Sequence, residues 1–262
     1  MAMADPLLDD RFSIDSFHRD AFRLVQPARN GHRAGIDAML LAAALPDEFC
    51  GTVADLGAGA GAAGFAVAAR CRQASVVLVE QEAEMAKCAR LSIDLPHNAQ
   101  LRPRLSVIEA DVTLTGGQRT AAGLASDAFD AVVMNPPFNK ASDRATPDAL
   151  KRAAHVMPDD LFERWIRTAA AIARPGGVLA LIARPASLAP ILAALDRRFG
   201  GAQVLPVHPD AGRAAIRIVL RAQKGSRAGL SLMPPLILHE EDGRISRRAD
   251  ALTNGRATLF AG

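Results

Sequence analysis

The sequence predicts an α/β fold: a mostly parallel, Rossmann-like sheet with helices on both faces. Three observations carry that expectation. Short apolar, β-branched runs alternate with stretches of helical periodicity along most of the chain. Glycine and proline clusters stop several of these runs, and the last two strands follow each other with no helix between them. Alternating strands and helices build βαβ units with parallel neighbours, whereas two consecutive strands require an antiparallel pair at that side of the sheet.

In chain order, Val53 to Leu56 reads as the first strand, and a glycine cluster ends it. Ala62 to Cys71 then reads as a helix, Val76 to Glu80 as a strand, and Ala83 to Leu95 as an amphipathic helix with Met85, Cys88, Leu91 and Leu95 apolar. Leu105 to Ala110 is a third strand and Phe129 to Met134 a fourth, stopped by Asn135-Pro136-Pro137. Pro158 suits the first turn of a helix with Leu161, Phe162, Trp165, Ile166 and Ala169 on one face. Pro175-Gly176-Gly177 ends it and leads into the strand Val178 to Ala183. Ala186 to Phe199 is helical, and Gln203 to Val207 and Ala215 to Ala222 are the closing strands. Residues 51–262 form one domain. Residues 1–50, with a helix near Ile36 to Leu45, form an N-terminal appendage expected to help close the active site. Segment 139–157 is polar and turn-rich, the composition of a functional loop.

Composition excludes several classes. Half of the 262 residues are apolar and 23% are charged, as in ordinary globular chains. No stretch long enough to cross a bilayer is free of charge. Residues 1–20 carry five aspartates, unlike a secretory or transit leader. Cys50, Cys71 and Cys88 form no CxxC pair, so buried inert thiols, a reducing cytoplasm and no metal centre are expected. Charge is uneven. Residues 1–50 hold five basic and eight acidic side chains, residues 51–135 seven and nine, and residues 136–262 nineteen and eleven. A basic second half suits a polyanionic partner.

Asp55-Leu56-Gly57-Ala58-Gly59-Ala60-Gly61-Ala62-Ala63-Gly64 follows a strand and precedes a helix, the context that gives a glycine loop meaning. Its backbone can approach a ligand closely, beside the free N–H groups of a helix start. Gly59, Gly61 and Gly64 also satisfy GxGxxG, which keeps a nicotinamide oxidoreductase open. Asp55 favours a nucleoside that bears an amino group, because a pyrophosphate would be repelled there. Glu80, ending the second strand, can accept from two ribose hydroxyls. Asp111 can accept from an adenine amine while Val112 offers its N–H.

Asn135-Pro136-Pro137-Phe138 ends the fourth strand, where open α/β sheets place their crevice. A planar amine conjugated to a ring is a poor nucleophile. The Asn135 oxygen and the Pro136 carbonyl can each accept one of its N–H groups and stabilise the positive charge that develops during transfer. Pro136 and Pro137 hold the turn, and Phe138 offers a stacking face for a base.

These residues, Asp55 to Gly61, Glu80, Asp111 and Asn135 to Phe138, resemble the motif series of class I S-adenosylmethionine-dependent methyltransferases. The resemblance implies seven strands with the last antiparallel. It also implies that Asp55, Leu56, Gly57, Ala58, Gly59 and Gly61 hold the methionine part, Glu80 the ribose, and Asp111 with Val112 the adenine. Asn135 then borders both cofactor and acceptor. The tetrapeptide is similar to the signature of enzymes that methylate adenine N6, guanine N2 or glutamine side chains. With Phe22 to Pro27, Gly31 to Leu41, Val204 to Pro209 and Leu238 to Gly243, the chain resembles the bacterial tRNA (adenine-N6) methyltransferases that modify valine tRNA. Guanine N2 of ribosomal RNA, a protein glutamine and a small molecule remain alternative acceptors. Arg33, Lys140 and Arg144 are expected phosphate contacts, with Arg29, His32, Lys151 and Arg152 beside them. Lys224, Arg227, Arg244, Arg247 and Arg248 extend the basic track. Asp37 is expected to cap its helix, and His155 and His208 to be structural.

Overall fold

The computed structural model describes residues 11–28, 34–137 and 160–260. Two strands not anticipated from the pattern come first, β1 (Phe12–Phe17) and β2 (Phe22–Pro27), paired as an antiparallel hairpin. Then follow α1 (Ile36–Ala42), β3 (Cys50–Leu56), α2 (Ala62–Arg70), β4 (Gln73–Glu80), α3 (Ala83–Asp94), β5 (Leu105–Glu109) and α4 (Gly116–Ala121). After β6 (Phe129–Met134) come α5 (Leu161–Ile172), β7 (Ala173–Ala183), α6 (Leu188–Leu195), β8 (Phe199–His208) and β9 (Arg217–Lys224). The short strands β10 (Ser231–Leu232) and β11 (Leu236–Ile237) and helix α7 (Arg247–Thr253) complete the described chain.

The main sheet runs in the order β5-β4-β3-β6-β7-β9-β8, with β10 and β11 both added parallel to the outer side of β8. The α/β fold with a mostly parallel sheet is therefore as expected. The last of the seven strands, β9, is antiparallel to both β7 and β8. It sits one strand in from that margin, which leaves β8 parallel to β7.

Both faces of the sheet are buried, as parallel sheets require. Alternation sends Val133, Ile182, Val219 and Val207 to a face covered by α1, α2 and α7. The intervening Val132, Met134, Leu181 and Leu220 face α5 and α6. On α5 the expected stripe of Leu161, Phe162, Trp165, Ile166 and Ala169 is buried, while Pro158 lies outside the described residues. Residues Arg174 to Gly177 bulge out between the pairs Phe129–Ala173 and Ala131–Val178, so the Pro-Gly-Gly cluster interrupts β7 rather than preceding it.

The hairpin docks on α3 through side chains that satisfy its edge. Ser92 Oγ accepts from Val25 N at 2.8 Å, and Asn98 both accepts from Arg23 N and donates to Arg23 O. Val25 meets Ala60 of the glycine loop in a small apolar cluster. Two expectations are corrected. Asp37 caps nothing: Gly35 is the N-cap of α1 without a side-chain bond, and Asp37 instead pairs with Arg217 Nε at 2.8 Å. Cys71 and Cys88 are buried, and burial pushes their thiols up, that of Cys88 to about 11, but Cys50 at the start of β3 is exposed.

Candidate active site

Strand β3 pairs with β4 on one side and β6 on the other. The winding of the sheet reverses there, the point at which open α/β sheets place a ligand crevice beyond the C-terminal strand ends. Leu56 is level with both Val79 and Met134. The residues that follow, Gly57, Glu80 and Asn135, therefore stand in one row at strand spacings of about 4.8 Å. Glu109 on β5 is level with Glu80, which puts Asp111 just beyond the row.

The glycine loop is held from beneath. Val79 O accepts from Gly57 N at 2.9 Å and from Ala58 N at 3.0 Å. Gly57 has φ +68°, and a Cβ there would collide with the Trp165 ring. Gly59 has φ +57°, and a Cβ built on it would meet only Met85 Cε, at an ordinary contact distance of 3.5 Å. Gly64 is needed for contact, because a Cβ would enter the side chain of Leu78 where α2 crosses β4. Leu56 is wholly buried and Val112 nearly so, which leaves only their backbones to meet a ligand.

The three acids occupy distinct settings. Asp55 is 2% exposed, and its Oδ2 accepts from Gly64 N at 2.8 Å. Burial pushes its carboxyl up to about 7; the Gly64 N–H opposes this and the nearby Glu80 charge reinforces it. Glu80 accepts from Gly59 N at 2.7 Å through one oxygen and from Glu82 N at 2.8 Å through the other. Each oxygen keeps a second lone pair. Asp111 accepts from Thr113 N at 2.7 Å and from Thr113 Oγ1 at 2.8 Å, and Arg164 Nη2 donates to that same hydroxyl at 2.7 Å.

Asn135 differs from all three. Its Oδ1 is buried and has no hydrogen-bond partner. Leaving a buried acceptor unpaired costs about 1–3 kcal/mol, and this one directly follows the end of β6. Pro136 beside it is buried and Pro137 exposed. Phe138, Arg33, Lys140 and Arg144, with Arg29, His32, Lys151, Arg152 and His155, lie outside the described residues.

The basic track expected from the second half divides. Lys224 is level with Phe199 at the start of β8 and bonds to Asp127 and Ala173 O, both at 2.6 Å. It stands at the opposite end of the sheet from Asn135, and Arg227 follows it there. Arg247 and Arg248 line a broad hollow with Arg213, beside the end of β8. Asp210, Glu240, Glu241 and Asp242 line it as well, and Arg213 is paired to Asp210. No expected cofactor residue lines that hollow. His208 is structural, its Nδ1 bonded to Arg213 O at 2.7 Å.

Sequence patterning missed several neighbours of this row. Trp165 reads as core but braces Gly57, and Arg164, which no motif singles out, reaches Thr113. Arg184 and Arg217 share a sheet face with Asn135 by strand alternation, which only the register reveals. Among the described residues no group of three or more metal-ligating side chains converges, and no helix is long and apolar enough to cross a membrane.

The row fits the nucleoside cofactor expected from the motifs. The loop is left-handed at Gly57, Gly59 and Gly61, a carboxylate lies at each of two strand ends beside it, and the orphaned Asn135 oxygen stands on the other side. Comparisons with known proteins agree. Residues 32–208 match the family model for the methyltransferase small domain. A predicted O-methyltransferase from Agrobacterium tumefaciens is 46% identical, with a TM-score of 0.74 over 85% of this chain and 98% of that one. The T. thermophilus 16S rRNA N2 G1207 methyltransferase, solved with AdoMet and guanosine, is 25% identical with a TM-score of 0.55, over 84% of this chain and 52% of that one. M. jannaschii TYW2, solved with AdoMet, shares the fold at 11% identity and a TM-score of 0.55, over 82% and 87% of the two chains. None of the curated protein sequences compared matches.

Proposed function

The chain belongs to the methyltransferase small-domain family and is an S-adenosylmethionine-dependent methyltransferase, and from that premise we propose that it methylates a planar nitrogen, N6 of an adenine in tRNA. The buried, unpartnered Oδ1 of Asn135 carries this reading. An exocyclic amine has N–H groups to give, and as it attacks the methyl group its nitrogen gains positive charge. An amide oxygen with no partner of its own can accept one of those N–H groups and stabilise that charge. The cofactor supplies an electrophilic methyl group. Asp55 and the loop at Gly59 hold its amino-acid end, Glu80 its ribose and Asp111 with the Val112 amide its adenine. The crevice lies at the end of β6, so acceptor and methyl group meet between Asn135 and Gly57. In this reading residues 1–50 are an appendage that helps close the site, and Arg33, Lys140 and Arg144 contact RNA phosphates in the cytoplasm.

An oxygen acceptor, suggested by the description of the Agrobacterium relative, would call for a base. The described histidines are engaged elsewhere: His97 with Asp20 O, His208 with Arg213 O and His239 with Pro209 O, while His18 is buried in the hairpin turn. Guanine N2 of ribosomal RNA is the second reading, favoured by the likeness to the T. thermophilus enzyme.

Tritium transfer from labelled S-adenosylmethionine to tRNA and rRNA from a strain lacking this gene, followed by nucleoside mass spectrometry, tests both. N6-methyladenosine in tRNA is the expected product. N2-methylguanosine in rRNA would select the second reading, and label confined to protein or small molecules would overturn an RNA acceptor.

A further inference from the structure

Helix α5 does more than cover the sheet. Its first turn reaches two walls of the cofactor crevice from consecutive residues. Trp165 packs its ring against Gly57. Arg164, half-buried, donates to Thr113 Oγ1 at 2.7 Å, and that hydroxyl donates its own proton to Asp111 Oδ2 at 2.8 Å. The Thr113 amide holds the other Asp111 oxygen at 2.7 Å. We propose that Arg164 is a positioning residue for the cofactor's nucleobase: acting through Thr113, it fixes the Asp111 carboxylate so that an exocyclic amine is accepted and a carbonyl in its place is refused. The proposal rests on the reading of Asp111 as the adenine acceptor.

The chemistry follows from the direction of the donors. A threonine hydroxyl has one proton and two lone pairs. Because Arg164 can only donate, it occupies a lone pair and leaves the proton free for Asp111. Without the guanidinium the hydroxyl can rotate, and the carboxylate loses one of its two anchors. Asp111 then swings about the remaining backbone bond. A wandering carboxylate still meets an amine, but less often in the right geometry, and it no longer forces its lone pairs against a carbonyl. Sites built to hydrogen-bond a ligand N–H reject analogues that lack it far more strongly than loosely shaped ones do.

Calorimetric titration with S-adenosylhomocysteine and S-inosylhomocysteine, whose base carries a carbonyl where adenine has its amine, tests this without turnover. Wild-type protein is expected to prefer the adenine compound by about tenfold or more. Arg164→Met should lose about five- to tenfold in affinity for the adenine compound and little for the inosine one, as expected for one charge-assisted hydrogen bond acting at a distance. Arg164→Lys, which keeps a donor, should recover part of the preference. Thr113→Val should behave like Arg164→Met and provides a second test if that variant folds poorly. Equal weakening of both ligands in Arg164→Met and Thr113→Val would reduce Arg164 to a structural brace and overturn the proposal. A preference lost in Asp111→Asn but kept in Arg164→Met would also overturn it, while leaving Asp111 at the base. A preference unchanged in Asp111→Asn would overturn the adenine site itself.

Discussion

The two sides of the crevice are finished to different degrees. Among the residues proposed to hold the cofactor, the polar groups described above already have partners: Asp55 holds Gly64 N, Glu80 holds Gly59 and Glu82 N, and Asp111 holds Thr113. On the proposed acceptor side, one strand away, Asn135 Oδ1 is buried with none. A preformed set of partners fixes carboxylate positions before a ligand arrives, which lowers the ordering cost of binding. An orphaned acceptor costs stability in the free protein and recovers it only when a donor arrives.

That contrast breaks most visibly at Asn135. Asn135→Ala should cut methyl transfer by about 10²–10³-fold, with cofactor affinity by calorimetry changed by less than about twofold. A matching loss of cofactor affinity would move Asn135 to the cofactor side and erase the distinction. Removing the orphan should also make the free protein no less stable, so an unchanged or raised melting temperature is expected.

Gly57→Ala attacks the other side. It places a side chain at φ +68° and against Trp165, which should cost about 2–4 kcal/mol through strain and overpacking. Cofactor affinity should fall with it, and the fluorescence of Trp165, the single tryptophan, should report the displaced ring.

Asp55 gives the contrast a pH axis. Its carboxyl titrates at about 7 because it is buried, and pairing with an ammonium requires the ionised form. Cofactor affinity should therefore weaken as pH falls through 7, by about tenfold between pH 8 and pH 6. Asp55→Asn should bind weakly and flatten that dependence, whereas Asn135→Ala should preserve it. A flat wild-type profile would remove Asp55 from the ammonium site.

The smallest effect lies in the hairpin behind the glycine loop. Burial, then Arg70, lowers His18 from 6.5 to about 4. The folded state therefore prefers neutral His18, and its contribution is fully present above pH 6.5 and lost as pH falls towards 4. Over that window about 1 kcal/mol of stability should disappear, because solvent screens a side chain that is partly open to water. In His18→Gln the corresponding part of the acid slope of the melting temperature should vanish.

Much of this was legible in the sequence, for identifiable reasons. Val53 to Leu56, Val76 to Glu80 and Phe129 to Met134 are apolar runs closed by breakers, and parallel strands buried on both faces look like that. Asp55, Glu80 and Asn135 then follow from their places at strand ends. The hairpin was hidden because its turn is made by His18, Arg19 and Asp20 at φ of 50, 54 and 70°. None is glycine, so no turn signature shows. Asp37 looked like a cap because it precedes a helix, and its partner Arg217 is 180 positions away.

The sequence by itself determined the succession of strands and helices, the glycine turn and the residues at each strand end, because these depend on neighbours a few positions apart. Only the tertiary structure decided which strand ends stand side by side. It made Asn135 the neighbour of Gly57, set Trp165 against the glycine loop, joined Arg164 to Asp111 through Thr113, and sent Lys224 to the far end of the sheet. Those outcomes follow from register and from helices packing across distant strands. They are set by burial over the whole chain, which no local pattern encodes.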